Sequence, residues 1–294
     1  MKVLKKIGSI LLCLLPFLLA FVIQIIVSVG GLMIKLIITS LQDPSVLQMD
    51  HLYNSLLGMM GDSNFIAALS ALYAIIAALV MGFWYWKRFV PKKQPRREIS
   101  SILNPAMVIG LIFLVIGTQY ISGYITLIVS AIHPAWYDTY ESLMNGIGFD
   151  NVSLILALYS VLIAPISEEL IFRGVTLKYA KKAMPFMAAN IFQAFLFGLF
   201  HANMIQGAYA FVVGMFCGYV CLKGGSIYLS ILFHMLFNLW GTFSPEFLSY
   251  SGDSILIHLA IAAGAALFAL FGIFLYGRGV ENREPMPEAY LRDE

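Results

Sequence analysis

Long apolar stretches separated by short polar ones dominate the chain. Eight of them, roughly 8–34, 65–86, 105–131, 152–177, 185–203, 207–222, 226–243 and 254–277, carry mostly apolar side chains. About 20 such residues cross a hydrocarbon core of roughly 30 Å as a helix. The pattern predicts an all-α polytopic membrane protein of about eight transmembrane helices. The first stretch follows Lys2, Lys5 and Lys6 and so mimics a signal peptide. Its apolar run is too long for an h-region and has no clear small-residue cleavage site, so it reads as a retained helix.

Composition agrees: 60% of the 294 residues are hydrophobic and 12% charged, with a mean hydropathy of +0.85. One soluble core cannot bury that much apolar surface. Charge placement gives the orientation, because cytoplasmic loops carry the Lys/Arg excess. Sixteen of the 18 basic residues fall in segments that eight spans put on one side, whereas Asp43, Asp50, Asp62, Asp138, Glu141, Asp150, Glu246 and Asp253 fall on the other, with Lys35 as its one basic exception. The expectation is a multi-pass protein of the plasma membrane with both termini cytoplasmic. "KRFVPKKQPRREISS" at 87–101 is a basic cytoplasmic loop, preceded by the aromatic belt of Trp84, Tyr85 and Trp86. The expected organisation is N-terminal helices over 1–145, a core over 146–277 and a charged tail over 278–294. No basic cluster carries interleaved aromatics, so nucleic acid is not an expected partner. Cys217 and Cys221 stand at i,i+4, but with no third ligand nearby in sequence they read as small packing groups.

Ionisable groups at membrane depth are costly and face a protein interior or a water-filled cavity. Here they are Glu168, Glu169 and Arg173 in the fourth stretch, His201 in the fifth, and His234 with Asn238 in the seventh; His258 stands alone near the start of the eighth. Glu169 and Arg173, at i,i+4 with the acid first, suit an ion pair. Glu168 points about 100° away and remains available for chemistry. These three alone fit a helix-locking charge network as well as they fit catalysis. Met184-Pro185 marks the turn between the fourth and fifth stretches. At 1.5 Å per residue, Glu168 and His201 then stand at matched heights of roughly 24 Å on antiparallel neighbours, and His234 and Asn238 reach roughly 16–22 Å. Three helices can therefore gather Glu168, His201, His234 and Asn238 into one polar pocket. Pro165 can kink its helix or admit water, and Gly214-x-x-x-Gly218 permits close helix contact.

"EELIFRG" (Glu168 to Gly174), "FGLFH" (Phe197 to His201) and "HMLFN" (His234 to Asn238) resemble, in order and spacing, the three motifs of the CAAX-protease and bacteriocin-processing (CPBP) family, also called Abi or type II CAAX endopeptidases. The likeness covers roughly 150–245. It implies an intramembrane endopeptidase in which Glu168 and His201 activate water, His234 and Asn238 stabilise the oxyanion, and Glu169 and Arg173 support the site. Such chemistry is sensible for amide hydrolysis. The substrate expected is a peptide or protein tail presented at the lipid bilayer, reached from the cytoplasm. The loop-poor chain looks like a bacterial member, where prenylated CAAX substrates are not expected.

No cofactor is required by this reading. Zinc held by Glu168, His201 and His234 is the alternative, although no H-E-x-x-H helix is present. Two other functions stand beside it. One is a non-catalytic immunity or scaffolding protein of the same family. The other, a proton-coupled transporter, explains the His/His/Asn set poorly and has no inverted repeat behind it.

Overall fold

The computed structural model describes residues 2–92, 101–243, 252 and 254–283. Residues 93–100 of the basic loop and 284–294 of the charged tail lie outside the described residues. The apolar stretches are helices, and no strand occurs among the described residues. In chain order these are α1 (Lys2–Gln42), α2 (Met49–Gly61), α3 (Ser63–Phe89), α4 (Pro105–Ile132), α5 (Pro134–Ile147), α6 (154–183), α7 (Phe186–Phe200), α8 (Met204–Gly224), α9 (Ile227–Phe243) and α10 (Ile255–Glu281).

Six of them, α1, α3, α4, α6, α8 and α10, are long and apolar enough to cross a membrane. The fifth and seventh stretches form the shorter apolar helices α7 and α9, of 15 and 17 residues. At 1.5 Å per residue they extend about 22 and 26 Å, short of a roughly 30 Å core. Two further helices, α2 and α5, were not expected at all. They are short and almost wholly exposed, with Met59 the one buried residue of α2 and none in α5.

Local chemistry explains where the helices begin. Asp62, Asn104, Ser153 and Asn203 each accept a backbone N–H from the first turn of α3, α4, α6 and α8, groups that otherwise lack an intrahelical partner. Gly148 and Gly225 end α5 and α8 in the left-handed conformation, which glycine adopts without a Cβ clash. Lys35, the basic exception on its side of the chain, donates to Asp62 at 2.8 Å. That hydrogen bond, followed by the Phe65 N–H, holds the Asp62 carboxyl below its ordinary value.

Small residues allow the helices to approach closely. A Cβ on Gly110 or Gly117 would come within 2.5 Å of the α10 backbone at Tyr276 or Ala269, so α4 and α10 pack backbone to backbone. On α8, Gly214 lies against Ala194 of α7, and Gly218 leaves room for the Asn190 and Gln193 side chains of the same helix, a close contact that the G-x-x-x-G spacing anticipates. At the centre stands α6, which touches α1, α3, α7, α8 and α9. Its residues 171–177 are buried without interruption.

Candidate active site

α6 is not a uniform α-helix. Residues Tyr159–Ile163 and Leu170–Thr176 are π-helical, and the α-helical turn Ala164–Glu169 between them carries both glutamates. Wide turns of this kind are uncommon and concentrate at functional sites. Their presence also means that α-helical arithmetic along α6 overstates the height of Glu168.

Pro165 explains one detail of the first wide turn. In the i→i+5 pattern the Ser160 carbonyl faces position 165, and proline has no N–H to offer. The amide of Asn238, from α9, donates to that carbonyl at 2.8 Å instead. A helix defect thus fixes a motif residue on a neighbouring helix. Gln119 of α4 holds the same region by donating to the Phe237 carbonyl, and the hydroxyls of Ser160 and Thr242 meet at 3.4 Å.

The two glutamates share one imidazole. His234 directs Nδ1 at Glu169 Oε1, 2.9 Å away, and Nε2 at Glu168 Oε2, 3.7 Å away. Glu169 Oε1 also forms an ion pair with Arg173 Nη1 at 2.8 Å, and both side chains of that pair are fully buried. Arg173 further donates to the Gly214 carbonyl, which Gln193 also reaches, and its guanidinium lies 4.5 Å from the centre of the Phe197 ring. An ion pair cut off from water requires this density of partners, because desolvation of both charges is otherwise uncompensated. Glu168 differs from its neighbour. Its side chain retains 14% exposure, and its described ion-pair contact is His234. Tyr73, Tyr159 and Tyr209 stand close enough to sense its charge.

His201 caps the C-terminus of α7 and is followed by Ala202 in the left-handed region (φ 54°). Its Nδ1 is 2.9 Å from the Phe197 carbonyl. Because a carbonyl only accepts, Nδ1 carries the proton and Nε2 is left as an acceptor. The Phe197 ring stands edge-on to both imidazoles, its centre 4.9 Å from that of His201 and 5.7 Å from that of His234. The structure therefore brings Glu168, Glu169, Arg173 and His234 into direct contact. It fixes Asn238 beside them through Ser160 and sets His201 across the Phe197 ring. A separate polar cleft of about 460 Å³, lined by Ser63, Asn64, Asn145 and Asp150 among others, contains none of these residues.

Among the described residues, the metal-ligand types that come within 4.8 Å of one another are Glu169, Cys217 and His234. Neither Glu168 nor His201 belongs to that group. Sequence reasoning passed over Cys217 because its companions come from α6 and α9. It also passed over Ser160: Pro165 signals a missing N–H, but an α-helix puts the freed carbonyl at Val161, and the π-helical turn moves it to Ser160. His258, alone in sequence, is held by Tyr124 at 3.2 Å and the Gly252 carbonyl at 2.9 Å, away from the site.

Comparison with known proteins adds an independent finding. Residues 150–240 match the family described as type II CAAX prenyl endopeptidase Rce1-like. No curated protein and no solved structure matches the chain. The matched segment spans α6 to the last turn of α9 and contains every motif residue from Glu168 to Asn238. Residues 150–240 of this chain are thus similar to the type II CAAX prenyl endopeptidase family over the segment that holds the candidate site.

Proposed function

We propose that this protein is an intramembrane endopeptidase in which Glu168 activates the attacking water. The supporting observation is the unequal state of the two glutamates: Glu169 is consumed by Arg173 and His234, while Glu168 keeps an exposed face. Glu168 takes a proton from water as the oxygen attacks the scissile carbonyl carbon, and later delivers that proton to the departing amine. His201 accepts a hydrogen bond from the same water through Nε2.

The oxyanion needs donors already aimed where charge develops. One N–H of the Asn238 amide holds Ser160, and the second supplies such a donor. His234, set between its two carboxylates with Nδ1 at Glu169 and Nε2 toward Glu168, offers a ring N–H as the other donor to the oxyanion. Glu169 and Arg173 hold the imidazole in place. No metal is part of this reading. The catalytic core over 146–277 sits in the membrane with both termini cytoplasmic, and the substrate is a peptide or protein tail presented at the bilayer.

The test compares native protein with Glu168→Ala and Glu168→Gln in membranes at equal abundance, by profiling newly formed N-termini in the membrane proteome. Cleavages present with the native protein should disappear in both variants, and Glu168→Gln should retain a bound peptide. Cleavage that persists undiminished in Glu168→Ala overturns the reading and leaves a non-catalytic membrane partner as the better account.

A further inference from the structure

Cys217 lies on α8, beside a carboxylate and an imidazole that the catalytic reading uses only for support and for oxyanion donation. Its thiol sulphur, a Glu169 oxygen and a His234 nitrogen lie within 4.8 Å of one another, and all three side chains are buried. A second observation points to a missing partner at the same place. Glu169 Oε1 takes both Arg173 and His234, while Glu169 Oε2 is buried with no hydrogen-bond partner. A carboxylate oxygen in that position is costly to leave unpaired.

We infer that Glu169, Cys217 and His234 form a binding site for a thiophilic divalent cation of the zinc class, and that its occupancy switches the catalytic site off. Thiolate, imidazole and carboxylate are the three protein donors that zinc takes, at about 2.0–2.3 Å, so closing the set needs movements of about 1 Å. The surroundings suit such an ion. Arg173 fixes one oxygen of Glu169 and leaves the other for the metal, as ligating carboxylates are commonly held. Glu168 Oε2 faces His234 Nε2, so an imidazole that binds through Nδ1 keeps an outer carboxylate for its remaining N–H.

The thiol proton leaves to solvent as the metal–sulphur bond forms, so binding weakens in acid. A bound ion takes His234 Nδ1 from Glu169 and draws the ring from the oxyanion position. The site is thus a brake, separate from the reaction it stops.

The experiment uses the full chain purified in detergent and titrated with Co²⁺ and Cd²⁺, with the thiolate-to-metal charge-transfer absorption as readout. This measures binding directly, so it can succeed or fail whatever the outcome of the cleavage test. The native protein should bind one equivalent. Cys217→Ala should lose the charge-transfer band and weaken binding by more than about 100-fold, beyond what an outer-shell loss costs. Cys221→Ala, one turn further along α8, should keep both, which controls for folding of the helix. A native protein without the band, or a band that survives Cys217→Ala, overturns the proposal. Where a cleavable substrate is in hand, Zn²⁺ should inhibit the native protein and spare Cys217→Ala; equal inhibition of the two overturns the brake.

Discussion

Glu168 and Glu169 are identical side chains on adjacent positions, and their partners make them different. The i,i+4 spacing already revealed the pair of Glu169 with Arg173, because that geometry is local to one helix. The bridging role of His234 was not legible, since two side chains leaving α6 about 100° apart can be spanned only by a group from another helix. The asymmetry has separable consequences. Arg173→Leu leaves Glu169 charged, buried and without its cation, and should destabilise the fold by about 3–5 kcal/mol, read as a lowered thermal midpoint in detergent. Glu168→Gln, at a partly exposed site outside that pair, should leave the midpoint nearly unchanged while abolishing cleavage.

At the scale of elements, apolar periodicity located every long helix and also α7 and α9, which bear the histidines, without showing how short those two are. α7 and α9 read as spans because apolar content was high; where they stop depends on caps and on contacts with α6 and α8. Short α2 and α5 were missed because their apolar faces are too small to separate from loop sequence. The wide turns of α6 had one trace in the sequence, Pro165. It predicts that Pro165→Ala supplies an N–H to the Ser160 carbonyl in competition with Asn238. Losing that anchor, worth about 1 kcal/mol, should lower kcat about five- to tenfold with little change in KM, and without loss of folded protein. An unchanged kcat would mean that Asn238 is positioned by something else.

For the whole molecule, composition and the placement of charge were enough to identify a multi-pass membrane protein, because a bilayer imposes its thickness on every crossing segment. The position of the chemistry was harder to read, since it depends on which helices fall short. α7 and α9 turn outward-facing residues such as Ile191, Phe195, Leu199 and Leu239 toward the surroundings, yet neither matches the hydrocarbon thickness. Lipids beside them must compress or leave polar helix ends in contact with acyl chains, at a fraction of a kcal/mol per Å of misfit. The enzyme should therefore respond to the length of its lipids. Reconstituted into vesicles of graded acyl-chain length, it should cleave fastest in the thinner bilayers and slow as the chains lengthen, with a rate independent of thickness counting against it. Should thinning follow, a peptide arriving beside α7 and α9 has less hydrocarbon to cross between water and Glu168.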